Sequence, residues 1–270
     1  MRNSRGQDEI KAAGTDYFLS PEQVSGYCRD GFVQLDHVLV GDELQRLRDA
    51  VAAAVEEERP SEADRAQAGP YAQLFIQRVN LWRRHPAVRE FVLSAKLANI
   101  AARLSGGPVR VWHDQALFKE PQVGTRTPWH QDSPYWPHSD PHCQISIWIA
   151  LRDATTRNGC MAFIPGTQVL DAIPRVDLGN PRDILSEAQQ FRGVKPRVCE
   201  LRAGCCTLHN GLTFHYAGPN LSDQMREAFA IIYMPDDTIY SGAAHIVTDP
   251  LGLRPGELLE GDPFPIVSTI

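Results

Sequence analysis

Residues 145–151 read Ile-Ser-Ile-Trp-Ile-Ala-Leu. Side chains of an extended strand alternate between two faces. The run therefore puts Ser146, Trp148 and Ala150 on one face and Ile145, Ile147, Ile149 and Leu151 on the other, a period of two that predicts a strand. Around it lie further β-rich runs punctuated by proline and glycine: Val109–Phe118, Gln144–Leu151 itself, Cys160–Ile164, Arg197–Leu201, Cys205–His209 and Glu227–Met234. Asn158-Gly159 is a tight-turn signal between two of them. Many short strands with no helices between them predict a β-sandwich or barrel from Gly107 onward.

The first hundred residues have a helical texture. Ser20-Pro21-Glu22-Gln23 forms a capping box with proline at the first helical position, and predicts a helix ending at Arg29 before Gly31. Leu44, Leu47, Val51 and Val55 recur at helical spacing within Asp42–Glu58. Val88, Phe91, Val92, Leu97, Ile100 and Leu104 do the same, and predict one helix from Pro86 to Leu104, stopped by Gly106-Gly107. The fold class is thus mainly β with flanking N-terminal helices. With no internal repeat and no low-complexity linker, the expectation is one domain over residues 1–270. Residues 1–15 are expected to be a disordered tail. Gln168–Pro196 is a long polar insertion, suited to folding over a site as a lid.

Composition narrows the function classes. A net charge of -6 gives no footprint for nucleic acid. The longest apolar run, Ala228–Pro235, is far too short to span a membrane. The N-terminus lacks the apolar stretch of a signal peptide. The six cysteines have no CxxC spacing, which predicts reduced, mostly buried thiols and a cytoplasmic protein. The expected partner is a small-molecule substrate, and nothing in the chain specifies an oligomeric state.

The histidines point to chemistry. Residues 127–144 contain His130-Gln131-Asp132 and His138-Ser139-Asp140. A strand would aim His130 and Asp132 to one side, toward a shared ion. Two histidines and a carboxylate leave three octahedral positions open, the arrangement of non-heme Fe(II) oxygenases. His138 lies between Pro137 and Pro141, which predicts an exposed loop. His113, Asp114 and His142 lack a spaced partner and are expected to be ordinary strand or loop residues. His37, His85 and His245 are expected to be surface or structural. Two distal candidates remain, His209 and His215. Eleven residues after His215 comes Arg226, opening an otherwise apolar strand. A guanidinium there is costly unless a carboxylate pairs with it.

The ordered set resembles the phytanoyl-CoA dioxygenase family of Fe(II)/2-oxoglutarate oxygenases. Four stretches carry the resemblance: Leu117–Asp132, Ile145–Gln168, Leu208–Ser222 and Arg226–Pro235. The opening GYCRDGFVQLDHVL is similar to the family's first helix and strand. The resemblance implies a double-stranded β-helix (jelly-roll, cupin-like) core. It implies that His130, Asp132 and His215 hold Fe(II) and that Arg226 grips the distal carboxylate of 2-oxoglutarate. Lys119 matches the lysine of the family's K-x-P word, and Trp148 matches the tryptophan of the cosubstrate pocket. Gln115 shares the strand and parity of Lys119. The family commonly ends its PGTQ-like word in histidine, where this chain has Gln168.

The implied reaction consumes O2 and 2-oxoglutarate, releases succinate and CO2, and hydroxylates a small organic substrate, as in bacterial secondary metabolism. Desaturation, ring closure and epimerisation are alternative outcomes. Asp132 stands where related halogenases have a small residue, which disfavours halogenation. Tyr71–His85 and the 168–196 insertion are candidate rims. Arg78, Arg83 and Arg84 form either an anion contact or a solvated basic helix face. Tyr135, Trp136 and Trp112 are candidate walls of an apolar pocket. Two other readings use the same fold: a zinc-dependent hydrolase or isomerase, which gives Arg226 no task, and a catalytically silent binding module, which leaves the triad without one.

Overall fold

A computed structural model of the chain describes residues 17–60, 76–122 and 124–268. The expected tail (1–15) and the Tyr71–Phe75 part of the expected rim lie outside the described residues. Two antiparallel sheets face each other. The larger is built from β1 (Phe32–Leu35), β2 (Ile76–Val79), β3 (Val109–Lys119), β5 (Ile145–Ala150), β8 (Cys206–Asn210), β10 (Arg226–Pro235) and β11 (Ile266–Ser268). Its strand order is β1-β8-β5-β10-β3-β11, with β2 also paired to β3. The smaller sheet runs β4 (Thr127–His130), β9 (His215–Ala217), β6 (Met161–Phe163), β7 (Arg197–Cys199). The arrangement is a jelly roll.

The alternation of the ISIWIA strand sorts the two interiors. Ile145, Ile147 and Ile149 join Phe229, Ile231 and Tyr233 against the helices. Trp148 and Ala150 join Ala228, Ala230 and Ile232 against Met161, Phe163 and Ala217 of the smaller sheet. Every residue of β5 is buried, because both faces of this central strand are covered. The helices α1 (Pro21–Asp30), α2 (Gly41–Glu57), α3 (Pro86–Val92) and α4 (Ala95–Ser105) supply the outer layer. The capping box is formed: Ser20 accepts from Gln23 N, and the Gln23 side chain accepts from Ser20 N. Gly31 closes α1 in the left-handed region at φ 82°.

The single helix expected over Pro86–Leu104 is two. Ser94 adopts an extended backbone (φ -62°, ψ 120°) and restarts the chain as α4. The break lets both apolar stripes reach one core, since Val88, Phe91 and Val92 share it with Leu97, Ile100 and Leu104. His138 also departs from expectation. It is buried, bridges to Tyr240, and lies edge-on to Trp112, while Ser139 and Asp140 stay exposed. The flanking prolines exclude a long strand but not a single bridge, and the aromatic contacts hold the ring inside. Four of the six cysteines are buried, and all are free. No helix among the described residues is long and apolar enough to cross a membrane.

Asp114 is likewise more than an ordinary strand residue. It faces the helical layer and accepts from Leu81 N at 3.1 Å and Trp82 N at 3.0 Å. Those donors open the short turn Leu81–Arg83, and Asp114 is the carboxylate bonded to them. Asp114→Ala would orphan two buried N–H groups, and urea unfolding should show a loss of about 2 kcal/mol or more. Asp114→Asn, which keeps one acceptor oxygen, should fall between the alanine variant and the parent.

Candidate active site

β4 and β9 pair so that His130 lies opposite His215, with ring centroids 4.1 Å apart. The strand stops there. Asp132 has a helical backbone and caps the turn Ser133–Tyr135, so strand alternation does not aim it. Its position comes from the loop after β8: Asp132 N and Ser133 N both donate to Gly211 O, at 2.8 and 2.9 Å. Residue 211 must be small, because a Cβ there would collide with the Ser133 hydroxyl and press on the Trp136 ring.

The imidazoles are held in one tautomer. A carbonyl only accepts, so Nδ1–H of His130 donates to Pro128 O at 2.8 Å and Nδ1–H of His215 to Thr213 O at 2.9 Å. Both Nε2 lone pairs then face Asp132 Oδ1, at 3.5 and 3.4 Å. The three ligand atoms lie within 4.8 Å of one another. Three acceptors converging with no proton among them repel unless a cation sits between, so the donor set fits a metal ion. Carbonyl-oriented imidazoles are the usual support of such sites. Burial opposes the charge on Asp132, but His215, His130 and His209 together hold its carboxyl well below the usual range. Burial, reinforced by His215, lowers His130.

His209 takes a different place from His215. Its Nε2 lies 3.2 Å from Asp132 Oδ2, the oxygen turned away from the triad. Ser146 Oγ donates to the same oxygen at 3.3 Å. One carboxylate oxygen thus faces the two histidines while the other is clamped. Ser146 was not singled out from the sequence. Its signal was there: a hydroxyl sharing the Trp148 face of an otherwise apolar strand.

The triad opens into a cavity of about 490 Å³ between the sheets, shared with Arg226, Trp148 and Gln115. Arg226 is buried and its guanidinium carbon lies 5.3 Å from the centre of the Trp148 ring. Nη1 donates to Leu117 O, while Nε is buried with no partner. No carboxylate among the described residues pairs with it, and burial pushes its pKa down to about 10. An orphaned, desolvated guanidinium beside a metal-ligand set fits a carboxylate-bearing ligand. Gln115 Oε1 accepts from Gln77 Nε2 at 3.0 Å. Lys119 pairs with Arg226 across the strands but is not among the residues lining the cavity. Its Nζ donates to Ala217 O and Gly218 O, tying the two sheets together. Burial and the adjacent Arg226 push its pKa down to about 7.

The 168–196 insertion lies over this cavity and is pinned to the metal loop. Gln131, between the two upstream candidate ligands, donates to Leu212 O at 2.9 Å and accepts from Ile173 N at 2.9 Å. Tyr135 donates to Val176 O, and Arg175 to Pro134 O. Val176, Ile184 and Ala188 build a small core of their own with Ile164 and Phe214. Tyr135 and Trp136 line the cavity, whereas Trp112 is packed behind it. Arg78 sits in β2, Arg83 in the single 3-10 turn Leu81–Arg83 and Arg84 just after it, so the three do not share one helix face. Arg84 pairs with Glu58, Arg78 donates to Glu58 O, and Arg83 donates to Pro263 O, so their described bonds are to the protein itself.

A jelly roll with a His-Asp-His cluster and an inward arginine defines the class of Fe(II)/2-oxoglutarate oxygenases. The phytanoyl-CoA dioxygenase family model matches residues 27–228, and the chain belongs to that family. L-proline trans-4-hydroxylase of Streptomyces griseoviridis is 33% identical over 155 residues, covering 53% of each chain. The chain spans about half the length of this and other curated relatives it matches. Among solved structures, the non-heme alpha-ketoglutarate-dependent carbocyclase SnoK from nogalamycin biosynthesis superposes with a TM-score of 0.81 at 30% identity, covering 93% of this chain and 97% of that one. The epimerase SnoN, solved with Fe3+, alpha-ketoglutarate and nogalamycin RO, gives 0.76 at 25% identity, covering 92% and 98%.

Replacing His209 by Phe would remove one of the two groups that hold Asp132 Oδ2, leaving Ser146 Oγ alone. Outer partners of metal ligands commonly contribute ten- to hundredfold in affinity. Fe(II) titration of His209→Phe should therefore show weakening of roughly that size, with circular dichroism unchanged. Gln131→Ala should speed limited proteolysis within residues 168–196.

Proposed function

We propose that this chain is an Fe(II)- and 2-oxoglutarate-dependent oxygenase acting on a small organic molecule of bacterial secondary metabolism. His130, Asp132 and His215 would hold the iron. Arg226 would take the distal carboxylate of the keto acid. Bound there, the iron supplies the oxidising chemistry of the family, consuming O2 and 2-oxoglutarate and releasing succinate and CO2. The carrying observation is the orphaned guanidinium of Arg226 in the same cavity as three converging ligand atoms. A zinc hydrolase would use the triad but leave that buried cation without a partner.

The protein's own work is positioning and exclusion of water. Pro128 O and Thr213 O keep both Nε2 atoms unprotonated. Ser146 and His209 hold Asp132 Oδ2 so that Oδ1 faces His130 and His215. Trp148 forms a flat floor beneath the guanidinium, and Gln115, fixed by Gln77, borders the same space. Lys119 supports this end from behind, fastening β3 to β9, rather than reaching the keto acid. The insertion, latched through Gln131 and Tyr135, roofs the cavity. Similarity to a hydroxylase, a carbocyclase and an epimerase supports the shared oxidising step and leaves the outcome to substrate geometry.

Anaerobic addition of Fe(II) and then 2-oxoglutarate should produce a weak visible charge-transfer band. Arg226→Leu should weaken the keto acid by about 2–5 kcal/mol, the usual size for a desolvated charge pair, while Fe(II) binding persists. Tight zinc binding with no band would overturn the reading. A product screen coupled to succinate release should show a gain of one oxygen for hydroxylation, or a loss of two hydrogens for desaturation or ring closure.

A further inference from the structure

The triad and Arg226 occupy one part of the cavity. Another part is walled by His113 and His245, which have no task in the chemistry above. Strand register fixes where His113 stands. His209 on β8 pairs with Ser146 on β5, Ser146 with Ile232 on β10, and Ile232 with His113 on β3. These four residues form one row across the cavity face of the larger sheet. Three strand spacings separate the backbones of His209 and His113 by about 14 Å. His113 therefore marks the far wall, beyond the iron site.

Hydrogen bonds assign both rings a tautomer. His113 Nδ1 lies 3.3 Å from Asp114 O. A carbonyl cannot donate, so Nδ1 carries the proton and Nε2 is an acceptor. His245 is the reverse: the backbone N–H of Val247 donates to its Nδ1 at 3.2 Å, so Nε2 carries the proton and donates. The rings are nearly parallel, 20° apart in tilt, with centroids separated by 6.0 Å. Both residues border the same cavity, one offering an acceptor and the other a donor, and a hydroxyl group, which both donates and accepts, matches that pair.

The surroundings define the charge of the ligand. Burial pushes His113 down to about 3, and His245 down to about 4, so both rings are neutral at ordinary pH. Among the described residues lining the cavity away from the triad and Arg226, Asp177 is the one charged side chain, and it is tied to its own turn through Gly179 N and Asn180 N. Two charged groups act on His245 from outside the lining: Asp249, exposed, which accepts from His245 N at 2.9 Å, and Arg175, exposed, which donates to Pro134 O. A carboxylate placed here would lose water with no cation in the lining to pair with, and an ammonium would meet only the exposed, water-screened Asp177. The flanking walls, Tyr135, Trp136, Ile232 and Ile246, offer flat or apolar surface.

We propose that His113 and His245 form a neutral acceptor–donor pair that binds a hydroxyl group of an uncharged, ring-containing substrate, at the end of the cavity remote from the keto acid. The assignment rests on the oxygenase reading for the word substrate; the binding pair itself rests on the two hydrogen-bonded tautomers and the shared cavity, with burial keeping both rings neutral. It deepens that reading by naming a substrate class: hydroxylated ring compounds in preference to amino acids, acyl thioesters or phosphorylated molecules.

The test uses full-length protein loaded anaerobically with Fe(II) and 2-oxoglutarate, and four probes on one skeleton: 2-naphthol, naphthalene, 2-naphthoate and 2-naphthylmethylammonium. Binding is read by tryptophan quenching, and the visible band is recorded in parallel. The expected order puts 2-naphthol first. Its advantage over naphthalene should fall about three- to tenfold in His113→Phe and in His245→Phe, the worth of one neutral hydrogen bond. His245→Gln, which keeps an N–H donor, should restore part of it. The band should be unchanged in each variant, which also reports an intact fold. Tighter binding of either charged probe, or a naphthol preference that survives both phenylalanine variants, overturns the proposal. Loss of the band in the parent protein with the naphthol preference intact would instead remove the oxygenase reading and leave the pair standing.

Discussion

Asp132 Oδ1 faces the Nε2 atoms of His130 and His215 with no proton available to any of the three. Left to itself, that convergence of lone pairs would spread apart. It is held by backbone on every side: Pro128 O and Thr213 O fix the rings, Gly211 O fixes the turn that carries Asp132, and strand pairing sets His130 against His215. These restraints come from two places, strand β4 paired to β9 and the β8–β9 connection that carries Gly211 and Thr213. The smaller sheet and the β8–β9 connection are arranged around the point where the three ligand atoms converge, the form that a preorganised cation site takes.

The larger sheet serves this centre through its alternation. One face carries isoleucine and aromatic residues into the helical layer, and that packing makes the sheet rigid. The other face carries the chemistry in rows: His209 and Ser146 beside Asp132, Trp148 and Gln115 next, Arg226 at the end of β10. A buried guanidinium without an anion costs stability, and here it is tolerated because the surrounding strands over-determine its position. Strain of this kind collects where a ligand is expected to relieve it.

Much of this was legible in the sequence, for identifiable reasons. Strands of five residues or more announce themselves by a period of two, and the resemblance to the family put His130, Asp132, His215 and Arg226 in order. Short strands such as β2, β4 and β11 hold too few residues to show a period, and they became visible only through pairing. The break at Ser94 was hidden because both apolar stripes keep helical spacing. Asp132 reached its place by a route other than the one expected: a tertiary contact with Gly211 aims it, and no local pattern encodes that. Lys119 has the right position for a cofactor contact, yet its amine is committed to carbonyls of the opposite sheet. His113 and His245 lie far apart in the chain and carry no motif. Only the convergence of a strand with the loop near the C-terminus pairs them.

The most direct test is an anaerobic crystal structure with Fe(II) and 2-oxoglutarate, using anomalous scattering at the iron edge. The account predicts one strong peak bonded to His130 Nε2, Asp132 Oδ1 and His215 Nε2, and a carboxylate of the keto acid on the Arg226 guanidinium. A peak on His209 in place of His215, or an iron centre whose keto acid leaves Arg226 without an anion, would contradict it.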